Sequence, residues 1–234
     1  MAEHINNGFE EGDLSAWTGI QVSGGCSMAA NNADIAAHHG SWTGKSVTDG
    51  DDEWANVYYD KGAGAFPQYA RCYVQFPSLP SNGKCFNFIV LEEAEVRRCA
   101  AAWLENNGGT YEWHADGYFG GAWKEVSYDT IQPVVDTWYC VELGYGIGAG
   151  PYTVKLWVSS NLTTSDTGWG PDDPDIARFG QNITTSGQPT REAGTLYVDC
   201  CVFADAAITC EAVGGVTVPL MVHHYARTKK IIRG

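Results

Sequence analysis

The stretch Thr137–Ser159, TWYCVELGYGIGAGPYTVKLWVS, narrows the choice of fold more than any other part of the chain. Two apolar runs rich in aromatic and β-branched residues flank a connection built on Gly144, Gly146, Gly148, Gly150 and Pro151. In the second run Tyr152, Val154, Leu156 and Val158 alternate with Thr153, Lys155 and Trp157, the period of a strand with one buried face. The pattern predicts a long antiparallel hairpin at the centre of a β-sandwich. Nothing on it resembles an acid, base or ligand cluster, so it reads as scaffold.

The same alternation recurs on both sides. Ala70, Cys72, Val74 and Phe76 share one predicted face, and Tyr69, Arg71, Tyr73 and Gln75 the other. Cys85–Leu91 is a nearly continuous apolar run, the signature of a central strand, and Asn82-Gly83 before it is a turn signal. Val96–Leu104, the short segments Tyr111–Trp113 and Tyr118–Phe119, and Trp123–Val126 are further predicted strands. Residues 159–193 are polar and turn-rich, which predicts long surface loops around one short strand near Ile176–Gly180. In Thr195–Phe203 the alternation places Leu196, Val198, Cys200 and Val202 on one face and Tyr197, Asp199, Cys201 and Phe203 on the other. The 28 Gly of 234 residues suit many short strands joined by tight turns.

Three of these segments occur in a recognisable order. Asn6–Trp17, NNGFEEGDLSAW, anchors an early segment through Phe9, Leu14 and Trp17. The Thr137–Ser159 hairpin follows in the middle, and Leu196-Tyr197-Val198-Asp199 closes the body. Over residues 8–204 the chain resembles the concanavalin A-like lectin and glucanase superfamily (jelly-roll, LamG-like domains) of extracellular and virion surface proteins. The resemblance implies an all-β, antiparallel jelly-roll β-sandwich over residues 1–210. It also implies a structural calcium held by Glu10 of the first strand and Asp199 of the last, with Asp13 as a third oxygen donor.

The fold group contains glycan-cleaving enzymes, but the chain lacks their signatures. Glu92-Glu93-Ala94-Glu95 does not have the Glu-x-Asp-x-x-Glu spacing that sets two carboxylates across a scissile bond. No Gly-x-Ser-x-Gly elbow and no phosphate loop is present. The expectation is therefore a protein without catalytic activity. Sugar binding would use flat aromatic faces, and Trp103, Trp113, Tyr118, Trp123 and Trp169 are the candidates. Asn161-Leu162-Thr163 and Asn182-Ile183-Thr184 make Asn161 and Asn182 glycosylation candidates.

The net charge of −14 argues against nucleic acid as a partner. No apolar run is long enough to span a membrane. No signal region opens the chain, and the eight Cys without a Cys-x-x-Cys pair suggest at least one disulfide and an extracellular or virion surface location. Many pairings of eight Cys are open. His38-His39 and His223-His224 are adjacent pairs, and neighbours on a strand point apart, so neither pair is expected to chelate a metal alone.

The end of the chain breaks the pattern. Val216, Val218, Leu220 and Val222 alternate after a Gly214-Gly215 hinge, and Tyr225, Arg227, Lys229 and Lys230 follow beyond the last acid, Glu211. A sandwich already closed by Thr195–Phe203 has no need of another strand, and an exposed one is an aggregation hazard. Residues 211–234 are therefore read as a linker plus a donated strand. This C-terminal β-strand extension would make copies of the chain its main partner, assembled head-to-tail into a fibril or virion appendage. A carbohydrate-binding module is the alternative, with glycans as partners, and a glycan-cleaving enzyme is a more distant one.

Overall fold

The computed structural model describes residues 3–50, 53–93, 97–159, 161–182, 188–208 and 210. These form strands and no helix. In chain order the strands are β1 (Glu3–Asn7), β2 (Gly19–Val22), β3 (Ser27–Asn31), β4 (Thr43–Thr48) and β5 (Ala55–Asp60). Next come β6 (Gln68–Gln75), β7 (Lys84–Glu93), β8 (Arg97–Asn107), β9 (Thr110–Phe119) and β10 (Ala122–Tyr128). The rest are β11 (Tyr139–Ile147), β12 (Tyr152–Val158), β13 (Asn161–Gly168), β14 (Ile176–Gln181), β15 (Thr190–Arg191) and β16 (Gly194–Ala204).

Two sheets stack face to face. The first runs β13-β12-β11-β6-β16-β4-β3, with β1 added along the far half of β16. The second runs β10-β9-β8-β7-β14-β5-β2, with β15 beside β7. All pairings are antiparallel except the two-residue β15–β7 contact. As predicted, Cys85–Leu91 lies in a central strand, β7. Phe76, Phe86, Phe88, Trp113 and Tyr139 form the aromatic heart of the core. Phe76 stacks on Phe86 with centroids 5.7 Å apart, and Phe88 meets Trp113 edge-on at 6.2 Å. Trp113 is fully buried, and its indole Nε1 donates to Ile131 O at 2.7 Å, so the ring brings no unpaired donor into the core.

The hairpin forms as β11 and β12, with Leu143 opposite Leu156 and Val154, Leu156 and Val158 turned inward. It does not sit at the centre. Residues 161–168, predicted as loop, form the edge strand β13 outside β12. Their Thr and Ser content suits a strand whose outer edge meets water.

Tyr111–Trp113 and Tyr118–Phe119 are not separate strands but the two ends of β9. Gly117 lies between them because a Cβ there would come within 2.8 Å of Phe119 and 3.1 Å of Tyr145. The glycine is a packing requirement and not a break.

The closing strand β16 also departs from simple alternation. A bulge between Asp199 and Val202 and a left-handed Cys200 (φ 47°) shift its phase. Leu196 and Val198 face the core, and after the bulge Cys201 and Phe203 do so. Cys200 is turned to the outer side, against Tyr73 and the Cys140–Cys210 disulfide. That disulfide bears out the expectation of at least one bridge. Cys72, Cys85, Cys99 and Cys201 are buried and lie outside this bridge.

Candidate functional site

The side of the second sheet that faces away from the core carries a row of polar and aromatic residues. On β9, Glu112, His114, Asp116 and Tyr118 alternate with the core residues Trp113, Ala115, Gly117 and Phe119. Successive same-face residues lie ~7 Å apart, so the row is ~20 Å long. The register sets Glu105 and Trp103 of β8 opposite Glu112 and His114. On the other flank it sets Glu125 and Trp123 of β10 opposite Asp116 and Tyr118.

His114 is the centre of this row. Its ring stacks on Trp103 at 4.9 Å and 6°. Its Nδ1 donates to Glu125 Oε1 at 3.0 Å. Nε2 lies 3.4 Å from both Glu105 Oε2 and Glu112 Oε2 but makes no hydrogen bond among the described residues. Three carboxylates therefore surround one imidazole. Burial pushes the Glu105 carboxyl up, against the pull of His114, and Glu112 and Glu125 push it the same way as burial.

Next to it, Arg98 Nη2 is ion-paired with Asp116 Oδ2, both side chains only 6% exposed. Gln188 ties the pair from above, accepting from Arg98 Nη1 at 2.8 Å and donating to Asp116 Oδ2 at 3.2 Å. Trp123 lies over the guanidinium at 4.7 Å. Burial raises the Asp116 carboxyl to about 6 even with Arg98 beside it. Farther along the sheet Arg178 pairs with Glu92 at 2.7 Å. Arg98 and Arg178 are thus both paired with acids, and Glu105, Glu112 and Glu125 leave the row net negative.

The five aromatic candidates separate clearly. Trp103, Tyr118 and Trp123 share this face, and Tyr118 meets Trp123 at 5.1 Å. Trp103 is 1% exposed and Trp123 39%, so the first is floor and the second is rim. Trp169, 67% exposed, follows β13 and lies against the β9–β10 turn, where Gly120 N donates to Gly170 O. Trp113 points into the core and is withdrawn as a sugar contact. Glu105, Glu112, His114, Asp116 and Glu125 were not singled out from sequence. The Glu-x-His-x-Asp alternation of residues 112–116 would have shown that three of them share a face.

Of the calcium candidates, Glu10 lies near enough to Asp199 for its charge to help burial raise that carboxyl, and all three acids accept backbone amides. Both oxygens of Glu10 accept backbone amides, from Ser41 and Trp42 at 3.0–3.1 Å. Both oxygens of Asp199 do likewise, from Cys200 at 2.6 Å and His39 at 2.9 Å. Asp13 accepts from Ser15 N. Asn182 is buried, its amide donating to Gly180 O at 2.7 Å, which leaves no space for an attached glycan. Asn161 opens the edge strand β13. The assembly residues Val216, Val218, Leu220, Val222, Tyr225, Arg227, Lys229 and Lys230 lie outside the described residues, as does His223-His224.

No protein-family model matches the chain, and no curated protein matches it in sequence. Solved structures do match in shape. One is a cellulose-induced protein, Cip1, at TM-score 0.62 and 14% identity, covering 88% of this chain and 99% of that one. Another is the globular domain of T. cruzi calreticulin, at TM-score 0.58 and 10% identity over 88% and 89%. A third is domain 4 of AbnA, an extracellular arabinanase from Geobacillus stearothermophilus in complex with arabinotriose, at TM-score 0.51 and 13% identity over 87% and 94%. Its two stacked antiparallel sheets, together with the likeness in shape to these structures, make the chain an all-β jelly-roll β-sandwich of concanavalin A-like fold.

Proposed function

We propose that this chain binds glycans on the outward face of its second sheet, and that it takes neutral or amino sugars in preference to uronates. The observation that carries this reading is the ~20 Å row of Glu112, His114, Asp116 and Tyr118, flanked by Trp103 and Trp123. A rim aromatic beside several fixed acceptors is what a sugar ring with many hydroxyls requires. The surplus of carboxylates would repel an anionic sugar. The arabinotriose bound to the AbnA domain supports a glycan ligand for this fold. The Cys140–Cys210 disulfide supports an oxidising, extracellular setting.

The test is a glycan array followed by calorimetry with neutral, amino and uronate oligosaccharides. Binding to the first two classes, weakened about tenfold in Trp123→Ala and lowered in Glu125→Gln, is the expected result. No binding, binding indifferent to both substitutions, or a preference for uronates would overturn it. One observation favours a second reading: Glu105 and Asp116, two carboxyls raised by burial, lie beside His114, as in sites that cleave glycans. Chromatography of the same mixtures distinguishes the two. Shorter products that disappear in Glu105→Gln would replace binding with cleavage.

A further inference from the structure

On the outer side of the first sheet, a loop and a strand bulge bring two imidazoles and a thiol together. His38 and His39 lie in the bend between β3 and β4, not on a strand, so the rule that neighbours point apart does not apply to them. Their Nδ1 atoms are 2.6 Å apart. His39 Nδ1 is 3.2 Å from Cys200 Sγ, and the three ligand atoms all lie within 4.8 Å of one another.

Each side chain is held from behind. His38 stacks on Tyr73 at 3.5 Å and 18°. The backbone of His39 is fixed by the hydrogen bond its N–H donates to Asp199 Oδ2 at 2.9 Å. Cys200 owes its outward direction to its left-handed φ within the β16 bulge, a conformation uncommon for a residue with a side chain. His38 also borders an open groove of ≈ 530 Å³, lined in part by Trp138, Gln75 and Asp136.

We infer that His38, His39 and Cys200 form a binding site for a zinc-like divalent transition metal. Two imidazoles and a thiolate are a borderline-soft donor set that suits zinc and does not suit calcium or magnesium. In a tetrahedral zinc site, ligand nitrogens stand about 3.3 Å apart and a nitrogen and sulfur about 3.6 Å. The His38–His39 and His39–Cys200 separations are shorter by about 0.7 and 0.4 Å, as befits groups hydrogen-bonded to one another, and the cation enters by spreading them. Binding releases one proton, that of the Cys200 thiol. The imidazole that donates in the His38–His39 contact moves its proton to Nε2, which leaves both Nδ1 lone pairs on the metal. The groove beside His38 gives the fourth position to water or to a small ligand.

Cobalt(II) titration of the full chain, with its disulfide intact, tests the inference. One equivalent of cobalt should develop a thiolate-to-metal charge-transfer band and the intense visible absorption of a tetrahedral centre, and zinc should bleach both. Cys200→Ser should abolish the charge-transfer band, and His39→Ala should weaken binding by well over the ~10–100-fold that second-shell changes cost. Cys26→Ser should leave the spectrum unchanged. Cys26 is a second partly exposed thiol, with two acids near it. A wild-type protein without the charge-transfer band, or a band lost in Cys26→Ser and retained in Cys200→Ser, would overturn the assignment. Alkylation of the wild-type chain gives a readout that needs no variant. Zinc should protect Cys200 from the reagent, and equal labelling with and without zinc would also refute the site.

Discussion

Removing the Asp116 carboxylate while keeping Arg98 should be among the most damaging single changes outside the aromatic core. In Asp116→Ala the guanidinium loses its ion-pair partner, and Gln188 Nε2 loses its acceptor. What remains to Arg98 is the 2.8 Å bond to Gln188 Oε1, the face of Trp123 at 4.7 Å and the charge of Glu92 opposite it on β7. Breaking one side of a buried pair costs about 3–5 kcal/mol, because a charge stays behind without compensation. Trp123 covers the guanidinium before and after the change, whereas the charge of Glu92 compensates part of the loss, which puts it at the low end, about 3 kcal/mol. The pair itself is imperfect, since Asp116 Oδ1 and Arg98 Nε have no hydrogen-bond partner among the described residues. Replacing both together, as Arg98→Met with Asp116→Leu, should therefore return stability to within about 1 kcal/mol of wild type. Urea unfolding followed by tryptophan fluorescence measures all three proteins, with unchanged slopes as the check on two-state behaviour. The single variant should also melt about 6–12 °C lower. A single variant that loses less than about 1 kcal/mol would refute the reasoning, and so would a double variant as unstable as the single.

Three further outcomes are expected. Burial raises the Asp116 carboxyl to about 6 in the folded chain, above its unfolded value, so the stability it contributes is full below about pH 4 and is lost as pH rises through 6. Wild-type stability relative to the Arg98→Met, Asp116→Leu protein should fall over that window by no more than about 3 kcal/mol, and a rise would show the sign to be wrong. The Cys140–Cys210 bridge closes a loop of 70 residues, worth about 4 kcal/mol in the chain-entropy model, so the Cys140→Ala, Cys210→Ala protein should melt about 10 °C lower by calorimetry. A drop under about 2 °C would sink that account. Sedimentation of the full chain against one truncated after Val213 tests strand donation; it predicts assemblies for the first and monomers for the second, and a monomeric full chain at high concentration rejects it.

The strands were legible where hydrophobic alternation continued without interruption. Val154, Leu156 and Val158 declared their buried face, as did Ala70, Cys72 and Val74, because a period of two is a local property of the chain. The reading failed where a third residue decided the outcome. Residues 161–168 look like a loop because their edge position tolerates polar side chains. The β9 strand looked broken at Gly117 because nothing in sequence shows Tyr145 and Phe119 pressing on that glycine. The phase of β16 was misread after Asp199 because a bulge carries no compositional mark when the residue in the left-handed position is Cys200 and not glycine.

The same division holds for the sites. Sequence alone determined that the chain would make a two-sheet antiparallel body and that it would be acidic. It could not say that Trp113 turns inward while Trp103 turns outward, since that depends on which face of the second sheet the first one covers. Nor could it place His114 among Glu105, Glu112 and Glu125, because three separate strands supply those acids and only their register aligns them. His38, His39 and Cys200 lie some 160 residues apart in the chain and meet because β16 pairs beside β4. Pattern along a chain is local and survives in the sequence; proximity between strands is a product of register and twist, and only the tertiary structure supplies it.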